Sequence, residues 1–350
     1  MKIMNILQLA LEKNASDVHL LAGDRPVLRI DGKLGMLDSE PIASEEMVRV
    51  FDSITNALQK ENFQSNLELD FAYALQDGAR FRVNACLQRG TISLVFRVIR
   101  GIIPTTEELG LPQICRELIL KPNGLILLTG PTGCGKSTSL AAMIEYLNQT
   151  TEKRVITIED PIEYTYKNIK CVISQREVGL DTHSFAEALK HALRQDPNVI
   201  LVGEMRDLET ATMVLMAAET GHLVLSTGHA SSAPLTIERV VDLFPPYQQT
   251  LAQTRLAAVL QGVLCQVLLP RADGKGRVPA IEIMLANSAV RNLIREGKTH
   301  QLQNVISSSQ KIGMCTMDEA LTRLYSKKLI EKKEVLYHSV DKDEVYRMVS

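Results

Sequence analysis

The chain has 350 residues, of which 45% are hydrophobic, so it is long enough for two domains that each have a core. Its net charge of −2 and its lack of tryptophan give no general attraction for nucleic acid and little support for base stacking. Because no apolar run approaches the roughly 20 residues of a membrane span, and because the six cysteines are scattered without a C-x-x-C pair, we expect a cytoplasmic protein without a zinc site or disulfide framework.

Residues 1–100 have the pattern of an α+β domain. An amphipathic helix is predicted at the N-terminus, because this segment turns polar after Ala10 and lacks the small-residue cleavage site of a signal peptide. A second helix is predicted over residues 44–60. Short strands are predicted over residues 17–20, 25–30, 67–75, 79–87 and 91–99, and the last two form a hairpin across residues 88–90.

Three arginines of this domain are candidates for contacts with phosphate. In the predicted hairpin, Arg80 and Arg82 share one face of a strand with Asn84, and Arg97 lies on the partner strand. The pattern alone favours an ordinary solvated face of a sheet. The alternative is a cluster of guanidinium groups that meets phosphate at an interface.

Residues 101–112 carry glycines and prolines at both ends and are predicted to form a linker or hinge. From residue 113 onward strands and helices alternate, which is typical of a parallel α/β sheet. Strands are predicted over residues 124–129, 154–159, 199–203 and 223–227, and helices over residues 137–148, 184–194 and 208–220. The segment 332–350 is charged and gives no regular pattern. Ligands bind at the carboxyl ends of parallel strands, so the residues there are the candidates for function.

The first of these strands leads into a loop that fits the Walker A pattern G-x-x-x-x-G-K-[ST]. Strand, loop and helix together form the context that the motif requires. The loop N–H groups and the helix N-terminus favour phosphate, Lys136 is predicted to reach the β- and γ-phosphates of ATP, and Ser137 to ligate Mg²⁺. The residues predicted to bind the nucleotide are Gly130, Pro131, Thr132, Gly133, Cys134, Gly135, Lys136, Ser137 and Thr138.

Carboxylates follow the next two predicted strands. Glu159, Asp160 and Glu163 are able to position water or Mg²⁺, but an acidic loop with a proline turn explains them equally well. The apolar strand over residues 199–203 leads into Glu204, which is a Walker B pattern whose acid is Glu rather than Asp. We expect Glu204 to hold the Mg²⁺ shell or to polarise the attacking water.

Two histidines bracket the strand predicted over residues 223–227. A single histidine near a strand is usually structural. Because both His222 and His229 flank a strand beside the nucleotide site, they are also candidates to donate to a phosphate oxygen or to act between subunits. Zinc is disfavoured, because no third ligand has suitable spacing.

Taken together, the motifs resemble those of the type II/IV secretion ATPases, and among them the pilus-retraction ATPases. The similarity rests on GPTGCGKST, ITIEDPIEY, VILVGEMRD and ETGHLVLSTGHA in the family's order, with ASDVHL and RFRVNA near the N-terminus. Residues 289–296, AVRNLIRE, are similar to the AIRNLIRE motif of the retraction enzymes, with Val290 for the usual Ile. The resemblance covers nearly the whole chain.

The resemblance implies a PAS-like N-terminal domain followed by a RecA-like P-loop ATPase domain. It also implies a homohexameric ring that hydrolyses ATP, with Mg²⁺, to power type IV pilus retraction and twitching motility. The implied partners are an inner-membrane pilus platform protein and a paralogous retraction ATPase, with no nucleic acid. The implied location is peripheral, at the cytoplasmic side of the inner membrane.

Carried over residue by residue, the resemblance makes Lys136, Glu163 and Glu204 the catalytic candidates. It favours contact of the nucleotide with Arg80, Arg82 or Arg97 over the solvated face. The other residues that it singles out are Glu159, Asp160 and Glu163 of the Asp box, His222 and His229 of the His box, and Arg194 and Arg206 as phosphate or interface contacts. The corresponding retraction-motif residues are Arg291, Asn292, Leu293, Ile294, Arg295 and Glu296. In that motif Val290, Leu293 and Ile294 share one helix face, which by itself predicts a core helix with a solvated charged side.

Alternatives to a retraction motor stay open at this point. The same motifs also suit an accessory retraction ATPase, and a nucleotide-dependent regulatory ring with little turnover belongs to a different class. The lack of a tetracysteine zinc module and of an extra N-terminal domain favours retraction over pilus assembly or type II secretion. Gly228 departs from the family, which usually has Leu before the second histidine, and is expected to loosen the backbone there.

Overall fold

The computed structural model of this protein describes residues 3–30, 32–75, 78–99 and 101–348. The chain divides into two units, Met1–Ile102 and Ile103–Ser350. Most of the expected linker therefore belongs to the second unit, where the side chain of Leu111 is buried in the core. Arg100, the last residue of the expected first domain, lies outside the described residues.

The first unit is built on an antiparallel sheet with the strand order β3-β2-β1-β6-β5-β4. Its helices pack against this sheet, as the predicted α+β pattern requires. Its strands are β1 Asp17–Leu21, β2 Val27–Ile30, β3 Lys33–Met36, β4 Glu68–Ala74, β5 Arg80–Gln88 and β6 Thr91–Ile99, and its helices are α1 Ile3–Glu12, α2 Ser44–Ile54 and α3 Ala57–Asn66.

The prediction of one helix over residues 44–60 is wrong, because the chain forms two helices there. Helix α2 ends at Ile54, and α3 begins after Asn56. The side chain of Asn56 accepts a hydrogen bond from the Gln59 backbone N–H at 2.9 Å, and the Gln59 side chain accepts one from the Asn56 N–H at 2.9 Å. This reciprocal capping box satisfies two N–H groups at the start of α3, so it stabilises a helix start where the pattern predicted continuity.

The alternation predicted for the hairpin is confirmed in the first unit. Phe81, Val83 and Phe96 are fully buried, and the rings of Phe81 and Phe96 meet edge to face with centroids 6.2 Å apart. Arg82 points to the opposite, exposed face and lies directly across from Arg97 on β6. Burial of these aromatic side chains removes a large apolar surface from water and holds the sheet against its helices.

A buried carboxylate lies on β1, an inner strand of this sheet. Asp17 on β1 accepts hydrogen bonds from Arg97 Nε and from Ser16 Oγ, both at 2.8 Å. Burial acts to raise the pKa of the Asp17 carboxyl, but the hydrogen bonds from Arg97 and Ser16 outweigh it and lower the pKa below its ordinary value. Arg97 is therefore held by a structural partner within its own unit.

The second unit contains a sheet with the order β13-β12-β7-β11-β10-β8-β9. Neighbouring strands are parallel except for the antiparallel edge strand β13. The strands are β7 Gly124–Thr129, β8 Arg154–Glu159, β9 Val172–Glu177, β10 Val199–Val202, β11 Leu223–Thr227, β12 Leu260–Pro270 and β13 Arg277–Leu285.

Helices cover both faces of this sheet, which is the arrangement typical of a parallel α/β fold. Their apolar faces form two buried clusters around the central strands. The helices are α4 Gln113–Ile119, α5 Lys136–Thr150, α6 Phe185–Ala192, α7 Leu208–Glu219, α8 Ala233–Asp242, α9 Pro246–Val259, α10 Ser288–Arg295, α11 Leu302–Ser308, α12 Met317–Ser326, α13 Lys332–His338 and α14 Lys342–Met348. Across the described ranges, no helix is both long and apolar enough to cross a membrane.

The central strands and helices lie where the pattern predicted them, to within one or two residues. The prediction missed β9, β12 and β13 and the helices α8, α9, α11 and α12, whereas α10 lies where a helix over residues 289–296 was predicted. Strand β9 mixes polar and apolar residues at a sheet edge, and β12 follows α9 directly, with Leu260 beginning the strand after Val259 ends the helix. The segment from residue 332 is helical, with Val335 and Val345 fully buried, so its predicted irregularity is wrong.

We predict that Asp17→Asn destabilises the first unit by about 1 kcal/mol at pH 7, because a charge-assisted hydrogen bond to Arg97 is lost. The native carboxyl has a lowered pKa, so the stability that it contributes is present above its unfolded pKa of about 3.9 and disappears as the pH falls through the native value. The difference between variant and wild type should therefore close in acid. Hydrogen exchange of the β1 and β6 amides, compared for both proteins at each pH, measures it.

Asp70→Asn is the matched control for this prediction. The side chain of Asp70 is 58% exposed, and it lies 3.9 Å from Arg82 on the same sheet. An exposed ion pair of this kind contributes little. Equal hydrogen exchange in the two variants at pH 7 would contradict the role given to Asp17. A loss of stability in Asp17→Asn, relative to the wild type, that does not change with pH would contradict it as well.

Candidate nucleotide-binding site

Glycines shape the loop that connects β7 to α5. Gly130, Gly133 and Gly135 have φ angles of +139°, +78° and +88°, which residues with a side chain rarely adopt. Gly130 is also crowded, because a Cβ atom there would lie 2.2 Å from the carbonyl oxygen of Gln266 and 2.8 Å from Cys134 Sγ. The glycine pattern thus provides both the backbone turn and the room that a phosphate-binding loop requires.

Lys136 begins helix α5, and its side chain folds back over the loop. Its Nζ atom donates hydrogen bonds to the carbonyl oxygens of Gly130 at 2.8 Å and Pro131 at 3.1 Å. Phosphate oxygens can replace these carbonyls as acceptors for the same ammonium group. The positive end of the α5 dipole and the Lys136 charge therefore act on the same loop.

The next residues of α5 face other parts of the candidate site. Ser137 is half-buried in the first turn of the helix. The hydroxyl of Thr138 lies 2.9 Å from that of Tyr164, the last residue of the ITIEDPIEY stretch. This hydrogen bond joins the Walker A helix to the segment after β8. Tyr164 was not predicted as a site residue, because a tyrosine in a loop carries no signal of its own.

Glu204 lies at the same edge of the sheet, because β10 and β11 are in parallel register with β7. Its side chain is only 14% exposed, and it forms ion-pair contacts with Arg206 Nε at 2.5 Å and with His229 Nε2 at 3.5 Å. The structure thus brings together one residue from the Walker B stretch, its neighbour Arg206 and one residue from the His box. This arrangement holds the Glu204 carboxylate at the end of β10, at the edge of the sheet that also carries the Walker A loop.

The three acidic residues of the Asp box differ in their surroundings. Glu159 accepts hydrogen bonds from Thr157 Oγ1 at 2.6 Å and from Gln175 Nε2 at 3.2 Å, and burial raises the pKa of its carboxyl. Asp160 and Glu163 are exposed. Glu163 is therefore the more accessible acid for a bound ligand, whereas Glu159 belongs to a hydrogen-bonded group inside the unit. Gln175 was missed because β9 was not predicted.

His222 and His229 lie at opposite ends of β11. The strand has five residues, and its length of about 17 Å, at about 3.3 Å per residue, lies between the two histidines. His222 Nδ1 is 3.0 Å from the carbonyl oxygen of Ala217, and its own carbonyl accepts from Gly124 N at the start of β7. Within one chain the expected pair of histidines does not meet, and only His229 lies at the edge that carries the loop.

Gly228 does not loosen the backbone before His229, contrary to the expectation. Its φ angle lies outside the left-handed region, and its N–H donates to the carbonyl of Leu128 on β7 at 3.1 Å. A Cβ atom here would lie 3.3 Å from Thr129 Cγ2. Gly228 therefore leaves space beside Thr129, and the ladder of the sheet fixes its backbone.

The candidate arginines fall into separate groups. Arg80, Arg82 and Arg97 lie on one face of the first unit, where Asp70 is 3.9 Å from Arg82 and Asp17 holds Arg97. Arg194 is exposed after the end of α6. Arg206 is the one that the structure places against another candidate, because it pairs with Glu204.

The retraction-like motif forms helix α10, and its apolar residues lie on one face as predicted. Val290 and Ile294 are fully buried, and Leu293 packs against the same core. Arg291 is not on a solvated charged side, and that part of the prediction is wrong. Its guanidinium donates to the carbonyl oxygens of Ala286 at 3.0 Å, of Ala258 at 2.8 Å and of Ala257.

These contacts of Arg291 have a physical reason. Ala257 and Ala258 are in the last turn of α9, where carbonyl groups lack a partner within the helix. A guanidinium group there satisfies two of them and complements the negative end of the helix dipole. Burial lowers the pKa of Arg291. Asn292, Arg295 and Glu296 remain exposed and bond to one another, with Asn292 Nδ2 donating to Glu296 at 2.7 Å.

A glycine-rich loop after the first parallel strand, a lysine at the start of the next helix and an acid after β10, two strands away in the same sheet, define a P-loop nucleotide-binding fold. A family model described as "Type II/IV secretion system protein" matches residues 1–335, so the chain belongs to this family. The resemblance inferred from the motifs is confirmed, and the protein is a nucleotide-binding ATPase.

Named relatives cover almost the whole chain. It is 45% identical over 333 residues to the "Type IV pilus retractation ATPase PilT" of Pseudomonas aeruginosa, covering 95% of this chain and 96% of that protein. It is 40% identical over 349 residues to the "Type IV pilus ATPase PilU" of the same organism, covering 100% and 91%. A crystal structure of the pilus retraction motor PilT with bound ADP superposes with a TM-score of 0.92 at 44% identity, covering 99% of both chains.

We predict that Gly130→Ala abolishes nucleotide binding, because the added methyl group would push the loop away from Gln266. Gly276→Ala, in the turn between β12 and β13, is the control, since its φ angle of +79° is also strained but no atom lies within 4 Å of the added Cβ. The control variant should lose only about 1 kcal/mol of folding stability, because a residue with a side chain is strained in the left-handed conformation. Equilibrium binding of a fluorescent ATP analogue and thermal unfolding separate the two, and equal losses would contradict the close packing at Gly130.

A second prediction concerns Arg291 of the retraction-like motif. Arg291→Met should destabilise the second unit by about 1–3 kcal/mol, because the last carbonyls of α9 lose their partner. Arg295→Met, in the same helix but exposed, should change stability by less than about 0.5 kcal/mol. Chemical unfolding measures both, and equal stability of the two variants would show that Arg291 does not stabilise α9.

Proposed function

We propose that this protein is the ATP-driven motor of type IV pilus retraction. The observation that carries the proposal is the convergence of the Walker A loop, Glu204 and His229 at one edge of the sheet. It is supported by the similarity to PilT over almost the whole chain and by the 44% identity to the "Twitching motility protein" of Neisseria gonorrhoeae. The AVRNLIRE helix adds to this support.

The proposed cofactors are ATP and Mg²⁺. The side-chain oxygens of Ser137 and Glu204 are the hard ligands that Mg²⁺ prefers, so the donor set fits this ion. Ser137 and Glu204 would hold Mg²⁺, and the bound ion would supply positive charge that neutralises the phosphate oxygens. Lys136 leaves the carbonyls of Gly130 and Pro131 to contact the phosphates, and backbone N–H groups of the Walker A loop, other than that of Pro131, which has none, hold them.

In the proposed mechanism Glu204 polarises the water that attacks the γ-phosphate. Its contacts with Arg206 and His229 hold the carboxylate in place, which matters because phosphoryl transfer depends mainly on positioning and on charge neutralisation. Glu163 is the second acid candidate, since its exposed carboxylate can reach a bound ligand. Arg194 remains a candidate for phosphate or interface contacts.

The proposed assembly is a homohexameric ring. Arg80, Arg82 and Arg97 then supply positive charge to a nucleotide, and residues 101–112 act as the hinge when ATP is bound and hydrolysed. His222 lies at the opposite edge of the sheet from the Walker A loop of its own chain, and its proposed role is in contacts between subunits. The proposed partner is the platform protein of the pilus machine, with the protein peripheral to the cytoplasmic side of the inner membrane.

An accessory retraction ATPase is the second candidate, because PilU is 40% identical over the full chain. A regulatory ring with little turnover has less support, since the backbone of Gly228 is fixed by β7. Complementation decides between motor and accessory roles. A motor restores twitching to a strain that lacks its own retraction ATPase, whereas an accessory protein restores it only when another retraction ATPase is present.

The first test is steady-state ATPase activity of the purified protein beside Lys136→Ala, with oligomer size measured at the same concentrations. We expect magnesium-dependent turnover that rises on assembly and disappears in the variant. Tight ATP binding by an intact ring that does not turn over would instead favour the regulatory function.

We further predict that Glu204→Gln retains ATP binding but lowers kcat by at least about 100-fold, because an amide cannot polarise water as a carboxylate does. Glu209→Gln is a matched control, since Glu209 is exposed in the first turn of α7. Its turnover should match that of the wild type. Full activity of Glu204→Gln would contradict the assignment of the catalytic acid.

A further inference from the structure

The side chain of Gln266 supports the Walker A loop from the neighbouring strand. Gln266 lies on β12, and only 2% of its surface is exposed. Its Nε2 atom donates to the carbonyl oxygen of Cys134 at 2.6 Å, and its Oε1 atom accepts from Ser139 Oγ at 2.8 Å. One amide therefore bonds both to the loop and to helix α5, on either side of Lys136.

Strand pairing places Gln266 at this position. Strand β12 runs parallel to β7, with Cys265 opposite Thr129, the last residue before the loop. The backbone of Gln266 therefore lies against Gly130, as the 2.2 Å distance to a Cβ built there indicates. The amide also lies 3.1 Å from a Cβ built on Gly135. Gln266 thus lies against Gly130 at the start of the loop and against Cys134 and Gly135 near its end.

We propose that Gln266 is a positioning residue that holds the Walker A loop in its phosphate-binding shape. The inference rests on the proposed nucleotide site and adds a residue outside the recognised motifs. A buried side-chain amide fixes the positions of its partners when its N–H and C=O groups both form hydrogen bonds. Removal of the N–H donor leaves the carbonyl oxygen of Cys134 without this partner. Loss of Gln266 therefore weakens ATP binding, because the loop has to be ordered by the ligand, whereas the groups that act in the chemical step stay in place.

The test compares binding of a fluorescent ATP analogue to the full-length wild type and to a graded set of variants. Ser139→Ala removes one of the two bonds, and Gln266→Met keeps the length of the side chain but removes both. We expect Kd to rise in that order, by about tenfold or more for Gln266→Met. In turnover assays KM should rise while kcat changes by less than about twofold.

Gln261→Met is the matched control. Gln261 lies on the same strand, and its Nε2 atom donates to the carbonyl of Asn123 at 3.0 Å, at the opposite end of β7. Its nucleotide affinity should equal that of the wild type. If Gln266→Met does not fold, Ser139→Ala against Gln261→Met still decides, because both remove one hydrogen bond from the second unit.

Gln266→Glu provides a readout that a simple packing role would not change. Its carboxylate accepts from Ser139 but cannot donate to Cys134, whereas the protonated acid can do both. Burial raises the pKa of a carboxyl at such a site. The affinity of this variant relative to the wild type should therefore recover as the pH falls, and that of Gln266→Met should not.

The outcomes separate the inference from the function on which it rests. Wild-type affinity in both Gln266→Met and Ser139→Ala, with ATP bound by the wild type, overturns the role of Gln266 alone. Absence of ATP binding by the wild type overturns the nucleotide site as well. An equal loss in Gln261→Met would assign the effect to general stability of β12 and would also overturn the inference.

Discussion

The chemistry of the second unit depends on the parallel hydrogen-bond register of β7, β11, β10 and β8. In this register Leu128 pairs with Thr227, and Val202 pairs with both Ser226 and Ile158. Because the strands end level with one another, whatever follows each strand lies at the same edge. The Walker A loop, the Asp box, the Walker B acid and the second histidine of the His box all follow their strands, whereas the first histidine of the His box precedes its strand and lies at the opposite edge.

Two acids at this edge have different environments, and the difference sets what each can do. The carboxyl group of Glu159 accepts hydrogen bonds from Thr157 and Gln175, and burial raises its pKa. These surroundings favour a structural role for Glu159. Glu204 contacts the cationic side chain of Arg206 and the imidazole of His229. Acids from similar sequence patterns thus take different roles because of their neighbours.

Arginines that motifs single out are not free charges in this structure. Arg97 satisfies the buried carboxylate of Asp17, and Arg291 satisfies the last carbonyls of α9. In both cases the guanidinium group donates to acceptors that would otherwise have one partner fewer, although Asp17 also accepts from Ser16. The same need explains Gln266, whose amide bonds to Cys134 and Ser139 from a strand that no motif identifies.

Local patterns in the sequence determined the central strands, the phosphate-binding loop and the acids that follow them, because short apolar runs, glycine spacing and strand ends are readable within a few residues. They also determined the hairpin of the first unit and the buried face of α10. Only the tertiary structure decided that β12 lies beside β7, that Gln266 contacts the loop and that Arg291 contacts α9. These outcomes depend on contacts between residues that are distant in the chain, so no local periodicity encodes them. In addition, no turn separates α9 from β12, so the sequence gives no local signal for the start of that strand.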